Sequence, residues 1–525
     1  MSLKSDFRTL LTILPVVLAA VLGGLQLTRD ALWYDEVISY YLIGAAQYEP
    51  LLPPAAFLER LVLVDRWPPV YYALLTPWSI AAGFTPFSGR VLSWFAGLLT
   101  VAAAARLGMD VAPPSLKRGG GALSALVLAS SAFFIYFLHE LRGYTVYPLL
   151  TTLSFLFYWR VLHKVTRWRA AGFVLFTLLA LYSHLATYPM VAAIGLYHLV
   201  WGRRIKREAW VRVTVLIALV GVLTLPWLVV IYFKLGQGQT IGQTSPWLPL
   251  LAFLPSFGNR VWPLLVLALV AAGWRARTSG TGYAAALVIL TMAITLALNV
   301  AAPFLFHMRH LVGILPVFYV IVGVGAAAML ARYRLITGVL LAVWVVAGIW
   351  NSFDFRYMLA TPGHEPTLPT AAMDTLIHTA EHCIAEDDVA ILYIGEIESR
   401  GLPWEWINDV VMVYYWREVP FRFAHINTLD PITNDDPMGE DPQTPITDIA
   451  DYVPKATRFV ADAERVWLLR LNHLPEIEQQ MLLIETLAAE GYTEAVQHMD
   501  TPHITGWVYY SDQAAPEPCL PDERT

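Results

Sequence analysis

The sequence predicts a polytopic α-helical membrane protein of about 11 transmembrane helices, with interfacial helices in its first outer loop and a C-terminal α/β soluble domain. Three observations predict it. Of 525 residues, 57% are hydrophobic and only 14% charged, where a soluble domain carries roughly a quarter charged. Apolar stretches recur about every twenty residues, the length a helix needs to cross about 30 Å of hydrocarbon. Finally, 31 of the 41 acidic residues lie from Asp354 onward, so the two parts of the chain meet two different solvents.

Stretches suited to spanning run near 9–27, 90–108, 121–138, 144–162, 170–187, 189–202, 211–233, 260–274, 282–301, 310–330 and 335–351. The first is long enough to be a retained span rather than a cleaved signal. The run Gly119-Gly120-Gly121 lacks the Lys-Ser/Thr of a phosphate-binding loop and reads as a loop. Residues 70–84 are short and contain Pro77. Basic residues in short loops favour the cytoplasmic side. With eleven spans and the N-terminus inside, every basic cluster lands there: Lys117 and Arg118; Arg160, Lys164, Arg167 and Arg169; Arg203, Arg204, Lys206 and Arg207; Arg275 and Arg277; Arg332 and Arg334. A crossing at 70–84 would turn all of them outward, so this segment reads as a helix lying in the outer interface.

The division that follows is a transmembrane domain over 1–352, its first outer loop spanning 28–89, and an extracytoplasmic domain over 353–525. In the latter, strands are expected at 389–394, 410–415, 466–471 and 507–510, a helix at 475–490, and an exposed acidic loop at 430–445. Its two cysteines, Cys383 and Cys519, fit one disulfide or two thiols. No zinc pattern, Walker loop or dinucleotide fingerprint occurs, and no nucleic-acid partner is expected.

Candidate chemistry collects on the expected outer face. Six of the ten acidic residues before Asp354 sit in the first outer loop. Among them Asp35 and Glu36 closely follow the first span; a carboxylate held there can serve as general base, although a solvated loop explains the pair as well. Asp65, Trp67, Tyr71 and Tyr72 open the interfacial helix, where Trp and Tyr also serve as plain interfacial anchors. Arg90 starts the second span, and Glu140, Arg142 and Tyr144 form the second outer turn. Ionisable groups at such depth are usually paired and functional, and a guanidinium fork suits phosphate, with snorkelling to the interface a lesser alternative for Arg90. His184 lies at the end of the fifth span, and Arg309 and His310 just before the tenth. Single histidines there also serve as ordinary caps, so Arg309 is the stronger phosphate candidate.

Taken in order, the Asp-Glu loop, the Pro-Pro-hydrophobic-Tyr-Tyr helix at 68–72, the Arg-led span, the Glu-x-Arg-x-Tyr turn and the Arg-led late span resemble the bacterial C-type (GT-C) integral membrane glycosyltransferases. These are relatives of protein O-mannosyltransferases and of the lipid A aminoarabinose transferase. The resemblance covers about 9–351. It implies a glycosyltransferase (a hexosyl or pentosyl transferase) in the bacterial cytoplasmic (inner) membrane, multi-pass, with cytoplasmic N-terminus and extracytoplasmic C-terminal domain. Such an enzyme moves a sugar from a polyprenyl-phosphate-linked donor to a glycan, lipid or protein acceptor within membrane lipid. Asp35 matches the family's acidic catalytic position, with Glu36 beside it; Arg90 matches an arginine paired with that loop, and Arg142 a turn facing the site. Trp67 stands where family members commonly carry His, and Arg309-His310 where Arg-Tyr is expected. No cofactor or metal is required by this chemistry, although a divalent cation is compatible with it. Asp65, Trp67, Tyr71 and Tyr72 would line a lipid or sugar groove. The competing classes are a transporter or flippase, and a non-catalytic envelope-assembly protein. Against the transporter, charge gathers at one face rather than at mid-span, and no repeat is evident.

Overall fold

In a computed structural model of the chain, the described residues are 3–28, 31–32, 34–44, 57–59, 61, 68–204, 206–235, 247–301, 308–353, 370–393, 415–416, 419–429, 446, 449–471, 477–500 and 504–510. The protein is mostly helical with one small sheet and forms two compact units, Met1–Arg29 with Leu58–Glu365, and Asp30–Phe57 with Pro366–Thr525.

The first unit is a multi-pass membrane bundle. Five helices among the described residues are long and apolar enough to cross: Pro86–Val111, Arg207–Phe233, Ser279–Ala301, Met308–Leu330 and Arg334–Ser352. A sixth results if Lys117–Ala129 and Ala132–Leu138 are one span, bent by 69°. The remaining expected spans fall on shorter helices or on Val146–His163. The central apolar stretch of Met308–Leu330 is wholly buried, whereas helix Arg207–Phe233 leaves most of its apolar surface unburied.

Three features depart from the sequence reading. Gly119–Gly121 is helix, not loop, inside Lys117–Ala129. An added Cβ on Gly121 would lie 2.4 Å from Met109 Cγ and 2.7 Å from the Ala105 carbonyl oxygen, so these glycines let two backbones approach. A ten-residue apolar helix, Leu248–Phe257, lies outside the expected spans.

Third, the stretch 121–138 is a broken helix rather than a straight one. Ser130 and Ser131 end one half and cap the other, and Asn259 fills the gap. Its Nδ2 donates to the Ser130 carbonyl at 2.8 Å and more weakly to that of Trp344 at 3.4 Å, while its Oδ1 accepts from the Ala132 N–H at 2.9 Å. The backbone there is left-handed, φ 49°, a conformation Asn tolerates. Asn351 Nδ2 donates to the Asn259 carbonyl at 3.0 Å, and the Ser131 and Tyr319 hydroxyls lie 2.9 Å apart. Irregular backbone at membrane depth survives only where its polar groups are answered in this way. Asn259→Ala strands a buried N–H and a buried C=O, at about 1–3 kcal/mol each. It should lower unfolding free energy in detergent by about 2–4 kcal/mol; an unchanged denaturation midpoint would contradict the joint.

The second unit carries a five-stranded mixed sheet, β1 Val389–Tyr393, β2 Arg422–His425, β3 Arg465–Leu471, β4 Glu494–Asp500 and β5 Ile504–Tyr510, in the order β2-β1-β3-β5-β4. β2, β1 and β3 are parallel; β5 is antiparallel to β3 and β4. Helices Ile449–Val460 and Glu478–Ala489 supply Tyr452, Phe459, Leu483 and Leu487 to a core with Val389, Ile391, Val466 and Leu468. Buried Asp388 ties the sheet's start, accepting from Arg465 Nε at 2.8 Å, Trp467 Nε1 at 3.0 Å and the Ala385 N–H at 2.9 Å. β2 and β4 are additions to the strands expected; the expected strand over 410–415 and the loop over 430–445 fall almost wholly outside the described residues. Cys383 is disulfide-bonded; Cys519 lies outside the described residues.

Candidate active site

In the membrane unit, local sequence rules position the site. Helix Pro86–Val111 begins with a capping box: the Ser88 N–H donates to Thr85 Oγ1 at 3.2 Å, and the Thr85 N–H to Ser88 Oγ at 3.0 Å, with Pro86 opening the first turn. Arg90, one turn on, is buried and donates from NH1 to the Leu27 carbonyl at 3.2 Å, which ties the second span to the end of the first. The segment expected at the interface is a helix, Val70–Ala82, held at both ends. The Val70 N–H donates to the Tyr182 carbonyl at 2.9 Å and Trp78 Nε1 to that of Ser88 at 2.7 Å.

Held this way, Tyr71 and Tyr72 meet the turn after Leu138. Arg142 NH1 donates to the Tyr72 hydroxyl at 3.3 Å, and Ser93 Oγ donates to the Arg142 carbonyl at 3.0 Å while lying 3.5 Å from the Tyr71 hydroxyl. Within the turn, the Arg142 N–H donates to the Glu140 carbonyl at 2.7 Å; Glu140 and Arg142 are both buried. Gly143 lets the Tyr71 ring approach, since an added Cβ would lie 3.3 Å from Tyr71 Cβ. Tyr71, Tyr72, Arg142, Gly143, Tyr144, Ser183 and His184 line a small cleft, partly open to solvent.

A second layer completes it. His184 stacks on Tyr147 with ring centroids 4.4 Å apart and lies 5.5 Å from the His310 ring; the Arg309 guanidinium stands 5.7 Å from the Tyr144 ring centroid. The Tyr147 hydroxyl donates to the Arg309 or His310 carbonyl, at 3.0 and 3.2 Å, and accepts from the Gly313 N–H at 3.1 Å. One tyrosine thus fixes both the histidine and the strand of chain bearing Arg309. Sequence reasoning missed Tyr147 and Ser93, since each sits inside an apolar run.

The electrostatics of His184 describe the site. Burial, and then the nearby Arg142 and Arg309 cations, lower its pKa from 6.5 to about 3. The Ala186 N–H donates to Nδ1 at 3.0 Å, which puts the proton of the neutral ring on Nε2. The imidazole is a neutral donor in a field set by two guanidiniums. Because the folded pKa is depressed, His184 costs no stability above pH 6.5 and progressively more as pH falls toward 3, where only the unfolded chain takes up the proton. His184→Gln should flatten the fall of the unfolding midpoint between pH 6.5 and 4; parallel curves for both proteins would contradict a neutral buried histidine.

The acidic pair belongs to the other unit. Asp35 and Glu36 occupy the first turn of helix Tyr34–Leu42 and are 8% and 1% exposed. The Ser39 hydroxyl donates to the Asp35 carbonyl at 3.2 Å, and the Leu32 N–H donates to the Tyr415 hydroxyl. Among the expected site residues, the structure therefore gathers Tyr71, Tyr72, Arg142, Tyr144, His184, Arg309 and His310, places Glu140 in the same turn and Arg90 on the preceding span. Asp65 and Trp67 lie outside the described residues. No group of three or more His, Cys, Asp or Glu able to hold a metal occurs among the described residues.

This architecture matches proteins of known structure. It is similar to ArnT from Cupriavidus metallidurans, both in the apo state (13% identity, 98% of this chain and 100% of that one, TM-score 0.58) and bound to undecaprenyl phosphate (14%, 96% and 99%, TM-score 0.56). It is also similar to the archaeal oligosaccharyltransferase AglB from Archaeoglobus fulgidus in complex with an inhibitory peptide and a dolichol-phosphate (12%, 97% and 75%, TM-score 0.51). By sequence, no known family and no curated protein matches the chain.

Proposed function

We propose that this protein transfers a sugar from a polyprenyl-phosphate carrier to an acceptor hydroxyl on the outer face of a bacterial cytoplasmic membrane. The observation that carries the reading is the pair of guanidiniums, Arg142 and Arg309, around a neutral histidine in a cleft walled by tyrosines. Such a site is built for an anion with two or more oxygens, and tyrosine rings suit the faces of a sugar. The fold likeness to proteins solved with undecaprenyl phosphate and dolichol-phosphate supports the same ligand class.

In the reaction, Asp35 takes the proton of the acceptor hydroxyl as that oxygen attacks the anomeric carbon. The bond from this carbon to the phosphate oxygen breaks, and its electrons leave with the lipid phosphate. Arg142 and Arg309 stabilise the charge that grows there, and His184 Nε2–H supplies a further donor. Direct displacement inverts the anomeric centre. Asp35 takes this role from its match to the family's acidic position, and Glu36 supports it as neighbour.

Titration of the purified protein with undecaprenyl phosphate tests the phosphate assignment. Saturable binding is expected, weakened about tenfold or more in Arg309→Gln, the usual scale for a lost charged hydrogen bond. Equal affinity in wild type and variant would remove Arg309 from the site, and movement of lipid-linked sugar across liposomes without bond cleavage would favour a flippase.

A further inference from the structure

At the opposite ends of the spans, charge accumulates without a partner. Ala276, Val324 and Ala328 form a small buried cluster against Ala112 and Leu116, and the Thr278 hydroxyl donates to the Val111 carbonyl at 3.1 Å. These contacts bring together the ends of three interhelical loops. The loops carry Lys117, Arg118, Arg275, Arg277, Arg332 and Arg334, all exposed. Two of these cations share one ring: the Arg275 and Arg332 guanidiniums lie 6.0 and 5.7 Å from the Tyr333 ring centroid, and Arg332 Nε donates to the Tyr333 hydroxyl at 3.3 Å.

The charge ledger at this end does not balance. None of the six cations has an ion pair among the described residues, and Asp110, at the end of the helix before Lys117, is held by Arg160 at 2.8 Å and Arg106 at 3.4 Å. The last carbonyls of Pro263–Arg275 and Leu315–Leu330 offset Arg275 and Arg332 only in part, since a helix end carries about half a charge. Arg334 opens its helix, where the partial charge is also positive. Next to the arginines, Trp274 and Leu335 are 81% and 82% exposed, which suits a bilayer interface and not bulk water.

We propose that this basic patch, centred on Arg275, Tyr333 and Arg332, is a binding site for the phosphate headgroup of an anionic phospholipid. The phosphate sits between the two guanidiniums and its acyl chains run along Trp274 and Leu335. The site is independent of the sugar-transfer reading and lies on the cytoplasmic face in the topology given by the basic loops.

The full chain in neutral detergent would be titrated with phosphatidylglycerol, with phosphatidylcholine and, separately, with inorganic phosphate, and bound lipid measured. Phosphatidylglycerol should bind more tightly than phosphatidylcholine, and Arg275→Gln/Arg332→Gln should lose about fivefold in affinity per guanidinium removed. Arg203→Gln/Arg207→Gln, at another basic loop, should keep most of it. Unfolding midpoints in neutral lipid check that both variants are folded. Equal losses in the two variants, or none in the first, would overturn the site in favour of diffuse surface attraction, and displacement of phosphatidylglycerol by millimolar inorganic phosphate would assign it to a free anion instead.

Discussion

Asp35→Asn should lower sugar transfer by about 10²–10⁴-fold, the range a positioned general base contributes, while leaving binding of the lipid phosphate nearly unchanged. The substitution keeps size and hydrogen-bonding capacity and removes only the ability to take a proton. Asp35 is nine-tenths buried in a helix's first turn, so its amide replacement disturbs packing little. The check is initial rate against donor concentration: a fall in kcat with KM held is expected. A variant of wild-type rate would take the base role from Asp35 and pass it to Glu36 or Glu140.

Arg142→Ala should have the next largest effect, about 10²–10³-fold in kcat, comparable to removing one preorganised donor from a developing anion. Arg142 is 5% exposed, donates to Tyr72 and contributes to the lowered pKa of His184. Its loss therefore removes a charge-assisted donor and weakens the positive field at once. Arg142→Lys restores the charge without the planar fork, so it should recover only part of the rate. Tyr72→Phe, which deletes a single neutral partner, should cost less than tenfold. If Arg142→Ala and Tyr72→Phe were equally impaired, the arginine would be a structural strut for the interfacial helix.

Much of this architecture is legible in the sequence because a bilayer leaves few choices. A spanning helix needs an unbroken apolar run, and the eleven stretches read this way all fall on helix, although only five pass alone as long and apolar enough. The gathering of Arg142, Tyr144, His184 and Arg309 follows from all lying at the ends of spans on one expected face. Tyr147 escaped because a tyrosine inside an apolar run reads as lipid- or core-facing, and only its contacts with His184 and Arg309 reveal its role. The break at Ser130-Ser131 escaped for a different reason. The Asn259 side chain that makes it affordable is 129 residues away in the chain, and no local pattern announces such a joint. In the soluble part, β2 is only four residues long and β4 mixes polar and apolar side chains at the sheet edge, so neither shows the apolar run that marked β1 and β3.

The arginine pair, the neutral histidine and the acidic helix converge on one claim, that a lipid-phosphate sugar is cleaved rather than carried. Its most direct test is transfer of radiolabel from a panel of polyprenyl-phosphate sugars, by membranes holding matched amounts of wild type or Asp35→Asn, with release of polyprenyl phosphate followed alongside. The account predicts that wild type converts at least one donor, with label leaving the lipid as polyprenyl phosphate appears, and that Asp35→Asn does not. Donor that binds to folded wild type and stays intact across the panel, with every acceptor class supplied, would contradict it.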